Sequence, residues 1–141
     1  MNIVARLEKQ NKFFWAITGT VLIIGIGVSD FLIGYEIGFS LFYLFPIALV
    51  TWFAGRRFGV TASIVSSIVW FTADIASGHR YSHPAVYCWN STIRFGFFII
   101  VTLLLSALRK ALEQEKELAR IDNLTGAVNA RFFFRVGADG D

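Results

Sequence analysis

Long uninterrupted apolar runs dominate the chain between Phe13 and Leu108. Their apolar residues are continuous rather than alternating, which favours helices over the strands of a membrane barrel. Each run has about the 17–25 residues that a transmembrane helix needs. The pattern therefore predicts four membrane-spanning helices, and Pro46 is expected to kink or interrupt the second. The four predicted spans are residues 13–29, 37–54, 58–76 and 85–108.

Composition agrees with this pattern. Apolar and aromatic residues make up 55% of the 141 residues and charged residues only 16%, whereas soluble domains carry about 25% charged residues. The predicted fold is an all-α integral membrane four-helix bundle whose last span continues into a cytoplasmic signalling helix. The expected divisions are an N-terminal segment (1–12), the membrane domain (13–108), a signalling helix (109–121) and a further segment (122–141).

All but one of the lysine and arginine residues that border the spans lie on one side of the predicted bundle. Because positive residues favour the cytoplasmic side of a membrane, both termini are predicted to be cytoplasmic. Arg80 is the one lysine or arginine in the two remaining loops, residues 30–36 and 77–84. Asp30, Glu36 and Arg80 are expected to be solvated charges at the membrane boundary. The net charge of +3 is modest, and no nucleic-acid partner is expected. The bordering basic residues are Arg6, Lys9, Lys12, Arg56, Arg57, Arg109 and Lys110.

The segment after the fourth span is rich in strong helix formers and has no helix breaker before Asp122. Mostly apolar residues recur there at alternating spacings of four and three, with a polar residue at Glu115, which is typical of a coiled-coil seam. A solvated helical extension and a parallel homodimer both fit this short pattern. The seam is Leu104, Leu108, Ala111, Glu115, Leu118 and Asp122, and the expected signal-transmitting residues are Leu108, Leu112, Glu115, Leu118 and Asp122.

Residues 122–133, which read DNLTGAVNARFF, resemble the opening of a GGDEF domain, the diguanylate cyclase family. Members typically begin with Asp-x-Leu-Thr-Gly-Leu-x-Asn-Arg-Arg-x-Phe just after a signalling helix. Ala127 and Ala130 depart from that pattern. From the residues alone, Thr125-Gly126 predicts a turn before a new helix. The matching residues are Asp122, Leu124, Thr125, Gly126, Asn129, Arg131 and Phe133.

The resemblance implies that this chain is part of a longer protein of the bacterial inner membrane. That longer protein would make cyclic di-GMP from two GTP and act as a dimer. The family's metal-binding Gly-Gly-Asp/Glu-Glu-Phe loop, which holds magnesium against GTP, does not occur in this chain. We therefore expect the membrane sensor half, without the catalytic core. Magnesium and GTP would belong to the missing domain.

Ionisable groups inside the apolar runs are costly in lipid and are therefore candidates for function. Asp74 lies near the end of the third span, and Arg94 lies about ten residues into the fourth. Asn90 precedes Arg94 by one helical turn. Together with Trp89, these residues are the predicted sensor pocket. A purely structural Asp74–Arg94 ion pair is the alternative.

His79 and His83 lie in the loop between the third and fourth spans, four residues apart. Two imidazoles at this spacing bind one metal when the segment is helical, but Pro84 favours an extended His83. Haem b and quinone are the cofactors considered, and interfacial loop residues are the alternative reading. The chain could instead be an accessory membrane subunit that binds haem, quinone or pigment in a larger complex.

Overall fold

A computed structural model describes residues 3–33, 39–78 and 80–138. Side chains are described as far as residue 119, except at positions 4 and 5. The described elements are all helical: α1 (Ile3–Glu8), α2 (Lys12–Ile33), a 3₁₀ turn (Phe39–Leu41), α3 (Leu44–Ala54), α4 (Arg56–Ala76) and α5 (Pro84–Ala138). The chain forms two compact units, residues 1–106 and 107–141.

Three helices of the described chain are long and apolar enough to cross a membrane: α2, α4 and α5. The second predicted span is shorter than expected. Its helix α3 has 11 residues, and at about 1.5 Å per residue it covers roughly half of a hydrocarbon core. Pro46 lies in the first turn of α3 rather than in its middle, and a missing N–H is tolerated there.

Contacts between helices in the first unit show an up-and-down order. Trp15 at the start of α2 stacks on Phe53 at the end of α3, with ring centres 4.2 Å apart. Phe13 at the start of α2 contacts Phe58 at the start of α4, so α2 and α4 run in the same direction. Gly55, with φ of +103°, makes the tight link between α3 and α4 that reverses the chain.

Helix α4 packs closely against α3 and α5 through small and hydroxyl-bearing residues, as helices in membranes commonly do. The Ser63 hydroxyl lies 3.0 Å from the Thr102 hydroxyl of α5 and also donates to the Gly59 carbonyl. A Cβ at Gly59 would overlap the Thr51 hydroxyl of α3 and would lie 2.9 Å from the Thr102 methyl group. Glycine at position 59 therefore allows three helices to meet closely.

The start of α3 lies deep within the unit. The Tyr43 side chain is fully buried, contacts the Phe98 ring of α5, and has its hydroxyl beside Gly27 of α2. Tyr43 thus brings the start of α3 into contact with both α2 and α5.

The second unit, residues 107–141, is described by α5 alone. The turn predicted at Thr125-Gly126 is wrong, because α5 continues as helix to Ala138. A Thr-Gly pair interrupts a helix only when local turn propensity exceeds the cooperativity of the flanking helix formers. The expected boundary at residue 121 therefore does not coincide with a helix end.

Candidate functional site

Polar and aromatic side chains from α2, α3, α4 and α5 meet at the end of the first unit where α2 and α4 finish and α5 begins. We call this group the polar cluster. The up-and-down order brings together the end of α2, the start of α3, the end of α4 and the first turns of α5. Its members are Asp30, Tyr43, Trp70, Asp74, Tyr81, Asn90 and Arg94.

Arg94 is held against an aromatic ring. Its guanidinium carbon lies 3.7 Å from the centre of the Trp70 ring, and Trp70 itself is only 4% exposed. A guanidinium stacked in this way gains a cation–π attraction and keeps its edge free for carboxylates. The positive charge of Arg94 acts on both Asp30 and Tyr81, so it is shared between α2 and the segment before α5.

Asp30 belongs to this cluster, although the sequence suggested a solvated boundary charge. That interpretation is wrong, because the side chain is half-buried and lies within electrostatic range of Asp74 and Arg94. The buried Tyr43 hydroxyl is directed toward Asp30, so the start of α3 also contributes to this cluster.

Tyr81 connects the segment between α4 and α5 to the cluster. Its hydroxyl donates to the Asp74 carboxylate and accepts from the Asn90 amide. Burial raises the pKa of the Tyr81 phenol above its ordinary value, and the nearby Asp74 charge adds to this rise. The Tyr81 ring also packs edge-on against Tyr87, with centres 4.6 Å apart.

Of the four residues predicted for the pocket, the structure brings Asp74, Asn90 and Arg94 together. Trp89 is different: its side chain is 67% exposed on the outer surface of α5. Sequence reasoning missed Trp70, although it precedes Asp74 by four residues and so shares its helix face. It also missed Tyr43, whose burial no sequence pattern indicates.

The proposed histidine pair is only partly described. His79 lies outside the described residues. His83 is exposed, and its Nδ1 accepts a hydrogen bond from the Ala85 amide at 3.3 Å. With Pro84 at the first helical position, His83 thus caps the start of α5. Within the described ranges, no group of three His, Cys, Asp or Glu side chains could hold a metal ion.

The predicted transmitting residues lie on the surface of α5 in the second unit. Leu108, Leu112 and Leu118 are exposed by 51%, 38% and 67%, and Glu115 is exposed as well. The Asp122 side chain lies outside the described residues. A salt bridge of 2.9 Å between Arg109 and Glu113 links successive turns of the same helix.

An open apolar groove of 440 Å³ lies between α4 and α5, and Cys88 is one of the residues that line it. Ile64, Ile68, Phe71 and Phe95 form most of its walls. Its shape and composition suit an acyl chain or a flat apolar ring.

Comparison with protein-family models, with curated proteins and with solved structures gives no match. The polar cluster places one guanidinium, two carboxylates and a phenol within electrostatic range of one another. Its residues come from α2, α3, α4, α5 and the segment before α5, so a change in its charge would act on the packing of several helices.

Proposed function

We propose that the chain is the transmembrane sensor and transmitter module of a membrane-bound diguanylate cyclase. In this proposal the polar cluster receives the stimulus, and α5 passes it to a C-terminal cyclase domain. One observation carries the proposal: Asn90 and Arg94 of the cluster lie on α5, the helix that continues past residue 106 to Ala138. A change in the charge around Arg94 would therefore act directly on the output helix.

The cost of the cluster supports a functional role. Ionisable side chains among apolar helices are expensive and are retained where they bind or switch. A purely structural ion pair would need only one carboxylate beside Arg94. This site has two carboxylates, Asp30 and Asp74, which lie within electrostatic range of each other, and Asp30 also lies within range of Arg94. Competition of two carboxylates for one guanidinium provides two alternative pairings, which a switch requires.

The membrane topology is a further part of the proposal. Four crossings, with both termini in the cytoplasm of a bacterium, would place the polar cluster toward the outer face of the inner membrane. The up-and-down helix order supports this, because it puts the starts of α2 and α4 at one end with Lys12, Arg56 and Arg57. Positive residues favour the cytoplasmic side.

Dimerisation through the exposed seam of α5 is proposed as the output geometry. Leu108 and Leu118 expose large apolar side chains on a helix otherwise rich in charge. The resemblance of residues 122–133 to the start of a GGDEF domain supplies the identity of the output, since cyclases of that family act as dimers. A parallel seam would bring the two cyclase domains together.

The test is a fusion of residues 1–138 to a GGDEF catalytic domain without a sensor of its own. Cellular cyclic di-GMP is compared between the wild-type fusion, an Arg94→Ala variant and an Arg80→Ala control that removes an exposed charge at the same end. We expect Arg94→Ala to shift cyclic di-GMP several-fold in either direction and the control to leave it unchanged. Equal output from all three fusions at equal expression would refute the sensor role.

A second function, an accessory subunit that binds haem, quinone or pigment, is supported by the apolar groove between α4 and α5. The absorption spectrum and the organic extract of the chain, purified from its native membrane, separate the two. A stoichiometric chromophore or quinone favours the accessory subunit. A Phe95→Ala variant that loses the bound molecule would locate it in the groove.

A further inference from the structure

Exposed basic residues gather at the end of the first unit opposite the polar cluster. The first turns of α2 and α4 lie side by side there, with the Phe13 and Phe58 rings 6.0 Å apart. Lys12 directly precedes Phe13, and Arg57 directly precedes Phe58. Lys12, Arg56 and Arg57 are all exposed.

Helix α1 adds two more positive charges at this end. The Trp15 indole N–H donates to the Leu7 carbonyl at 3.3 Å, which ties α1 to the start of α2. Arg6 and Lys9, on either side of Leu7, are exposed. We call Arg6, Lys9, Lys12, Arg56 and Arg57 the basic rim.

Acidic residues are scarce around the basic rim. The first turns of α1, α2 and α4 contain none, and Glu8 is the only carboxylate in residues 3–12 and 55–58. Positive side chains also face the positive ends of the α2 and α4 dipoles, which is unfavourable. The rim therefore lacks enough negative charge of its own, and an external anion would complement it.

An apolar stripe begins at the rim. Phe13, Ile17 and Val21 follow one another at spacings of four on α2, so they lie on one helix face, and they are exposed by 65%, 65% and 63%. A free phosphate would use the rim but not the stripe. A phospholipid uses both, with its phosphate at the rim and an acyl chain along the stripe.

We propose that the basic rim and this stripe form a binding site for an anionic phospholipid. Charge complementarity selects a lipid of net negative charge over a zwitterionic one, because each lysine or arginine near a negative headgroup adds attraction. The inference requires the chain to lie in a membrane but does not require it to be a sensor. A non-signalling membrane subunit would bind the lipid equally well.

The experiment measures lipid binding to the purified full chain in detergent micelles by native mass spectrometry. Phosphatidylglycerol and phosphatidylcholine with identical acyl chains are titrated separately. The variant is Arg56→Gln/Arg57→Gln, and the matched control is Lys110→Gln/Lys116→Gln, which removes the same charge from exposed positions in the second unit. Circular dichroism verifies that all proteins retain their helices.

Wild type and control should bind phosphatidylglycerol more tightly than phosphatidylcholine, and the arginine variant should lose about tenfold of that preference. Inorganic phosphate should not displace the bound lipid. Equal binding of the two lipids by wild type would overturn the proposal. An equal loss of lipid preference in the arginine variant and the lysine control would also overturn it, because net charge rather than the rim would then determine binding. Displacement by millimolar phosphate would assign the rim to free phosphate instead.

Discussion

Arg94 is the residue on which most of the polar cluster depends, since it stacks on Trp70 and acts on the charge of Asp30. Truncating it would leave a half-buried carboxylate without its nearby positive charge. We expect Arg94→Ala to lower the free energy of unfolding by about 1–3 kcal/mol. Arg94→Lys should recover little, because a lysine cannot offer a flat guanidinium to the ring and the carboxylates together.

Thermal unfolding of the purified chain in one detergent provides the measurement. Arg80→Ala, which removes an exposed arginine, is the control and should change stability little. The double variant Arg94→Ala/Asp30→Asn should be more stable than Arg94→Ala alone, since the stranded charge is then gone. A double variant that is no better would mean that the two side chains do not interact.

Tyr81 gives the cluster a pH dependence that can be measured. Because burial and the Asp74 charge raise the pKa of this phenol, its hydrogen bonds stabilise the fold fully below the unfolded pKa of about 10. Their contribution is lost as the pH rises through the higher folded pKa. Wild type should therefore be more stable than Tyr81→Phe at neutral pH, and the difference should shrink only at strongly alkaline pH.

Unfolding temperatures of the two proteins between neutral and alkaline pH measure this difference. Ser82→Ala, which removes an exposed hydroxyl from the adjacent position, serves as the control. A difference that already disappears near pH 8 would contradict the raised pKa.

The sequence predicts some members of the cluster and not others for a physical reason. Asp74 and Arg94 stand out because a charge within an apolar run is costly wherever its partner lies. Tyr43 does not stand out, since tyrosine is common at interfaces and is tolerated both buried and exposed. Asp30 was misread because its position at a helix end looks the same whether it faces water or Arg94.

At the scale of the helix, close packing through glycine determines how α3, α4 and α5 meet. A Cβ at Gly59 would collide with Thr51 and press on Thr102. We expect Gly59→Ala to destabilise the fold by about 1–3 kcal/mol, the usual cost of overpacking. Gly25→Ala, on a helix face with nothing within 4 Å, should be neutral or stabilising by up to about 1 kcal/mol through helix propensity.

The two substitutions add the same methyl group to a helical glycine, so their opposite effects isolate packing. Thermal unfolding in one detergent compares them directly. If Gly59→Ala proved as harmless as Gly25→Ala, the close approach of the three helices would be wrong.

The same physics explains which helices could be predicted. Helices α2 and α4 were placed within a few residues because charged residues border their apolar runs on at least one side. The sequence does not indicate the start of α3, since residues 37–43 contain no charged residue and no proline. Helix α5 continues through Thr125-Gly126, because a two-residue turn motif does not interrupt a helix that follows a long run of helix formers.

At the scale of the whole molecule, the order of the helices and the placement of the basic residues make a joint prediction. Lys12, Arg56 and Arg57 mark one end of the first unit, and the polar cluster marks the other. If the basic end is cytoplasmic, a reporter fused after Arg120 should be active as a cytoplasmic fusion. A reporter inserted after Gly78, in the segment between α4 and α5, should be active only outside the cytoplasm.

Paired fusions of a fluorescent protein and a periplasmic phosphatase at both positions provide the measurement, with expression checked by immunoblot. A fusion after Gly55, between α3 and α4, decides whether the short helix α3 completes a crossing. Cytoplasmic activity there agrees with four crossings, because α3 then returns the chain to the side of Lys12. Periplasmic activity after Gly55 would leave α3 as a helix that enters the membrane without crossing it, and the sensor topology would have to be abandoned.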